Sequence, residues 1–295
     1  MKLLNTVLVV AMSAGIFYSC TTSSKEEQKT PQTESEEITD QGPRIVSLHA
    51  SASEIISALG CEEDLVGTDI TSVYPESVKK ITKLGHISGI TAQGILSLKP
   101  TLVVVHKDEL SAQLEKQLQE VGVQIEKIEQ NYTPEGTIRL ISSLGETLDR
   151  KEEAQELIAA FNQEMDSLTV TSSNKKVVFI YARGAGTLMV AGKGTPMDAL
   201  IQLAGAENPC SDFKDFKPLT SESLVKANPD ALFFFNSGIE SMGGLESLSQ
   251  IPGYNLINAG KEGHVVSMEG SLVSSFGPRL PKAIRELSNK LSAVQ

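Results

Sequence analysis

RIVSLHASASEIISALG (residues 44–60), LVGTDITSVYPESV (65–78) and GILSLKPTLVVV (94–105) read in order as strand–loop–helix, strand–loop and helix–strand. Gly60 closes the first helix as a C-terminal stop, and Pro100 ends the next one before the apolar run 102–105. A continuous apolar run of that length suits a parallel strand buried on both faces. Strands alternating with helices predict a parallel sheet covered by helices. Each loop follows the carboxyl end of a strand, where ligands bind in open α/β sheets. The segment therefore predicts a fold class and a site together.

Working outward, residues 110–120 read as a further helix and 124–128 as a fourth strand. Residues 138–168 predict a long amphipathic helix, broken near Gly145, because Ala154, Leu157, Ile158, Phe161, Met165 and Leu168 recur at spacings of three and four. Its stretch from residue 146 would be roughly 35 Å long, enough to pass from one lobe to another. After a polar turn the α/β alternation restarts, with strands at 177–181, 231–235 and 265–268 and helices at 197–204, 221–227 and 280–291. The predicted organisation is a first lobe at 44–145, a linker helix at 146–170 and a second lobe at 171–295, with the ligand cleft between facing loop tips.

Upstream, Lys2 precedes an apolar run from Leu3 to Tyr18 that ends at Ser19 and Cys20. That order is a secretory signal with a small residue at its cleavage position, and the run is short for a spanning helix. A cysteine directly after it predicts a lipoprotein signal over residues 1–19, with lipid carried on Cys20. An uncleaved anchor is the alternative. Residues 20–43 are polar and charged, with too few apolar side chains to offset conformational entropy, and predict a disordered tether. The formal net charge of −11 argues against nucleic acid and against a polybasic membrane patch. Cys61 and Cys210 fall in different lobes, and no CxxC spacing suggests a metal site. Neither a nucleophile motif nor a catalytic carboxylate pair stands out, so an enzyme is not expected.

The ordered motifs RIVSLHASASEI, GTDITSVYPESV, GILSLKPTLVVV, MVAGKGTPMDALIQLAGAENP, KPLTSESLVKANPDALFF, IPG and FGPRLP resemble the substrate-binding proteins of ABC importers for cobalamin, siderophores and haem. Within that group the chain is most similar to the haemin-binding lipoproteins. The resemblance covers nearly all of residues 44–291. It implies a class III periplasmic binding protein: two Rossmann-like lobes with parallel sheets joined by a rigid linker helix. It also implies haem in the cleft as transported ligand, and partners in an ABC permease and its ATPase. A monomer at the periplasmic or outer cell surface, lipid-anchored, follows from the same resemblance.

The resemblance also carries residues. Tyr74 lies in the loop where haemin binders place an iron-coordinating tyrosine, and a phenolate is an accepted haem ligand. Pro75 biases Tyr74 toward extended backbone. Tyr181 and Arg183 stand two apart on a strand and so share a side, where a guanidinium stabilises a phenolate; some haemin binders carry the same Tyr-x-Arg. His49 and His106 each follow a strand and are alternative iron ligands; His86 also reaches the loop region, whereas His264 precedes its strand. Arg279, at the start of the terminal helix, is a candidate for the haem propionates. Glu222 matches a permease-docking glutamate of the family, and Gln93 stands where the first-lobe docking glutamate should be. Cobalamin and ferric siderophores remain alternative ligands, and a surface haem scavenger without a permease remains an alternative role.

Overall fold

The computed structural model describes residues 42–294 apart from Ala185. The expected signal segment, Cys20 and nearly all of the tether lie outside the described residues. Four parallel strands, β1 (Ile45–Ser47), β2 (Leu65–Thr68), β3 (Leu102–His106) and β4 (Gln124–Ile128), make the first sheet in the order β2-β1-β3-β4. Alternation sorts their side chains between two cores. Ile45, Leu102, Val104 and Ile128 pack with helix α1 (Ala50–Ala58). Val46, Val103 and Val105 face α2 (Ala92–Leu96) and α3 (Ala112–Gln119) through Ile95 and Leu118.

The expected long helix is two helices, α4 (Pro134–Thr147) and α5 (Lys151–Asp166). Thr133 caps α4 by accepting the Gly136 N–H, with Pro134 at the first helical position. The break falls at 148–150, where Asp149 takes φ +54° and turns the chain back. Helix α4 packs on the first core through Leu140, Ile141 and Leu144. Helix α5 runs between the two cores, with Ala154 in the first and Phe161 in the second, and Ile138 of α4 also packs against the second core. Ala154 and Phe161 are seven apart, about 10 Å along a helix, so the crossing is much shorter than expected.

The second sheet departs from the all-parallel expectation. Strands β5 (Val177–Ala182), β6 (Leu188–Ala191), β7 (Phe216–Pro218), β8 (Ala231–Phe235) and β9 (Val265–Met268) are ordered β7-β6-β5-β8-β9. The β5–β8 and β8–β9 pairs are parallel, whereas β6 and β7 add on antiparallel, making the sheet mixed. One face, with Phe179 and Phe233, packs on α6 (Pro196–Leu203), α10 (Gly270–Ser274) and α11 (Leu280–Ser292). The other, with Ile180 and Phe234, packs on α7 (Ser221–Ala227), α8 (Asn236–Met242) and α9 (Asn258–Glu262).

The close approach of α4 and α5 rests on Gly145, where an added Cβ would lie 2.4 Å from the Ala154 Cβ. Gly145→Val forces the helices apart, and the expected loss is about 2 kcal/mol of stability. A urea unfolding curve checks this, with a lowered midpoint at unchanged slope.

Candidate functional site

The carboxyl ends of β1, β2, β3, β8 and β9 all feed one cavity between the lobes, of about 480 Å³. His49, Asp69, His86 and Glu109 line it from the first lobe, and Glu269 and Ser271 from the second. Two of its carboxylates are consumed by their own loops. Asp69 accepts from the Thr71 N–H (2.9 Å) and from the hydroxyls of Thr71 and Ser72. Glu269 caps α10, accepting from the N–H groups of Ser271 (2.9 Å) and Leu272 (2.7 Å). Burial pushes the Glu269 carboxyl up, but these hydrogen bonds together hold it below the usual range. Burial raises Glu109, against the opposing pull of His106.

His49 is the last residue before α1 and the centre of the cavity's titratable groups. Its Nδ1 is 2.9 Å from the Ser51 hydroxyl, and its ring stacks on His106 with centroids 6.2 Å apart. The residue keeps some contact with solvent through the cleft, but protein crowds the ring elsewhere. Burial, then repulsion from His106, lowers its pKa to about 4, against a smaller opposing attraction from Asp69. His49 is therefore an uncharged imidazole at neutral pH, available as a nitrogen donor.

The two tyrosines do not line this cavity. Tyr74, joined to Pro75 by a cis peptide, is 43% exposed and lies under the Arg279 guanidinium, 3.6 Å from its ring centroid. It borders a neighbouring hollow of about 440 Å³ with Glu54, Phe161 and Arg285, while Val73 reaches the main cavity. Tyr181 packs beside Phe216 (6.4 Å) and Phe235 (6.1 Å), on the sheet face that carries α10. Arg183 is exposed beyond the end of β5. The structure thus places His49 and His86 on one cavity, stacks His106 against His49, and brings Tyr74 and Arg279 together beside it.

Arg279, read from sequence as an anion site, already has a carboxylate partner. Its Nη2 donates to Glu54 Oε2 at 2.8 Å and its backbone N–H to the other oxygen at 3.2 Å. Glu54 is 3% exposed, on α1 of the first lobe, so the pair is a buried bridge between lobes. Burial raises the Glu54 pKa and Arg279 opposes that rise; two charge-assisted bonds, one to each oxygen, favour the ionised form. Gln93 is exposed on α2, and Glu222 is exposed in the first turn of α7. Glu54 escaped notice because a glutamate in a helical pattern ordinarily faces solvent. Gln130 and Tyr132 also escaped, although they follow β4 and the strand-end rule that flagged His49 and His106 finds them.

Two outcomes follow from these groups. Glu54→Ala strands a buried guanidinium, and the expected loss of about 3–5 kcal/mol is read by urea denaturation. Between pH 6.5 and about 4, the unfolded chain binds a proton at residue 49 that the folded chain refuses. Stability therefore falls as pH falls through that window, by up to ~1.4 kcal/mol per unit. Melting temperatures across the window should slope less steeply in His49→Gln than in the unmodified protein.

Comparison with known proteins gives a consistent placement. The periplasmic binding protein family model matches residues 45–272. An uncharacterised ABC transporter substrate-binding lipoprotein, YvrC of Bacillus subtilis (strain 168), is 28% identical over 86% of this chain and 81% of its own. A vitamin B12-binding protein of Vibrio parahaemolyticus serotype O3:K6 (strain RIMD 2210633) is 25% identical over 85% of this chain and 90% of its own. The apo structure of the periplasmic heme-binding protein RhuT from Roseiflexus sp. RS-1 superposes with a TM-score of 0.80 at 30% identity, covering 86% of this chain and 100% of that one. Among the described residues no helix is long and apolar enough to cross a membrane. The relatives point to an extracytoplasmic, membrane-anchored location and to solute binding rather than catalysis. With its family model matched across both lobes and the cleft between them, the chain belongs to the periplasmic binding protein family, as a substrate-binding protein of an ABC importer of the haem, cobalamin and siderophore group.

Proposed function

We propose that this protein binds haem in the inter-lobe cleft and delivers it to an ABC permease and its ATPase. The observation that carries this reading is His49, a neutral imidazole lining a cavity of about 480 Å³. Among the described residues no three His, Cys, Asp or Glu side chains are grouped to hold a metal ion. A lone imidazole suits a metal that arrives already held by a macrocycle, and histidine is an ordinary axial ligand of haem iron. His106 stacks beside it, and Tyr74 offers a phenol oxygen from the adjoining hollow. Tyr181 and Arg183, at the end of β5, form the second-lobe candidate. With Arg279 bound to Glu54, its charge is not free to hold the propionates while that pair stays closed.

Lipid on Cys20 anchors the mature chain as a monomer at the membrane surface. Glu222 meets the permease on the second lobe, while Gln93 on the first supplies a hydrogen bond instead of a charge. The vitamin B12-binding relative supports cobalamin as the second reading. Haem is preferred because the heme-binding RhuT structure is 30% identical to this chain, against 25% for the vitamin B12-binding relative.

Haemin, cobalamin and a ferric siderophore titrated side by side test the assignment. The expected outcome is a saturable Soret change with haemin and weaker responses with the others. His49→Ala and Tyr74→Ala are each expected to weaken haemin binding by about tenfold or more, or to change its spectrum. Absence of a Soret change in the unmodified protein sinks the haem reading.

A further inference from the structure

His49 is tied into a chain of hydrogen bonds whose polarity can be worked out from its far end. The Gln130 side chain lies between the lobes: its Nε2 donates to the backbone carbonyl of Phe276, in the second lobe, at 3.4 Å. A carbonyl only accepts, so the amide nitrogen must face it, and Oε1 is turned toward Ser51. The Ser51 hydroxyl donates to that Oε1 at 2.8 Å. A hydroxyl has a single proton, so toward His49 Ser51 can only accept. The 2.9 Å contact between Ser51 Oγ and His49 Nδ1 therefore requires a proton on Nδ1.

In a neutral imidazole a proton on Nδ1 leaves Nε2 with its lone pair bare. The histidine stacked on His49 and the other one lining the cavity have the opposite arrangement. The backbone N–H of Asp108 donates to Nδ1 of His106, and that of Ser88 to Nδ1 of His86, each at 3.4 Å. Both bonds favour a proton on Nε2, for His106 against the pull of the Asp108 carboxylate 4.0 Å from Nδ1. Ser51 is fully buried, so its bonds to His49 and Gln130 are not exchanged for water.

The geometry points to Ser51 and Gln130 as positioning residues that hold His49 in the Nδ1–H tautomer and present its Nε2 lone pair to a metal-bearing ligand in the cleft. This rests on the haem reading only for what the lone pair meets; the tautomer itself belongs to the free protein. Ligating histidines commonly have the other ring nitrogen hydrogen-bonded in this way, which fixes ring orientation and raises donor strength. The same chain ends on the second lobe, where Phe276 O also accepts the Thr137 hydroxyl at 2.8 Å. The ligand-facing ring is thus registered against both lobes.

Long-range ¹H–¹⁵N NMR of the ¹⁵N-labelled, ligand-free protein at pH 7.5 tests this directly, with His49→Gln identifying the resonances of residue 49. The expected result is an Nδ1–H pattern for His49 and Nε2–H patterns for His86 and His106. Ser51→Ala and Gln130→Leu should each shift His49 toward Nε2–H, whereas Gln130→Glu, which keeps an acceptor for Ser51, should retain Nδ1–H. An Nε2–H pattern for His49 in the unmodified protein, or an unmoved pattern in Ser51→Ala, overturns the assignment. In haemin titrations Ser51→Ala should lower affinity by about 10- to 100-fold, and unchanged affinity counts against the positioning role. An unmodified protein that takes no haemin overturns the transport reading, and the NMR pattern then decides the tautomer alone.

Discussion

The bridge between Glu54 and Arg279 is the contact on which the relation of the two lobes depends. Glu54 comes from the first helix of the chain and Arg279 from the residue preceding the last one, so the pair joins elements 225 residues apart in sequence. Both carboxylate oxygens are used and Glu54 is buried, conditions under which removing one partner is far worse than never having had the pair. Tyr74 stacks on the guanidinium, which fixes the loop after β2 against the second lobe. Helix α5 adds a covalent crossing of about two turns, and Thr137 and Gln130 both bond to Phe276 O. The cleft is therefore a preformed feature with three ties behind it, and a ligand entering it need not assemble the site.

How much of this was legible in the sequence depended on the length and locality of the signals. The first lobe was read well because its central strand, Leu102–His106, is an apolar run set off by Pro100, and the strands beside it alternate with helices in parallel register. Strands β6 and β7 were missed because they are short antiparallel additions at the sheet edge outside the strand–helix alternation, and all three residues of β7 are exposed. Their pairing is set by tertiary contact rather than by pattern. The helix break at 148–150 has no Gly or Pro to announce it; Asp149 supplies the left-handed turn, a conformation aspartate tolerates better than most residues. The nearby Gly145 is not the break but the place where α4 and α5 touch.

The site was legible by location and less so by role. The rule that ligands meet strand ends selected His49, His106 and the loop holding Tyr74. It said nothing of which groups were already spoken for. Arg279 looked like a free cation at a helix start, yet Glu54, one turn into α1, neutralises it from the opposite lobe. Such a pairing across most of the chain leaves no trace in local spacing. The bonds of Ser51 to His49 and Gln130 are equally silent in sequence, since serine and glutamine carry no charge or periodicity to mark them.

These commitments shape how a ligand can be held. Asp69 and Glu269 spend their lone pairs within their own loops, and Arg279 spends its charge on Glu54. What the cavity still offers is a neutral imidazole, the partly buried Glu109 and walls such as Leu48, Val73 and Ile87. Recognition by counter-charge alone is weak under those conditions. Coordination through His49, combined with apolar contact on the ligand's faces, has the better supply of interactions. Release is then most easily driven by disturbing the lobe-to-lobe ties, because Gln130 joins the bond to Ser51 behind His49 to the second lobe at Phe276. On the proposed haem reading, a permease that shifts one lobe against the other would act on the His49 ring without having to reach into the cleft.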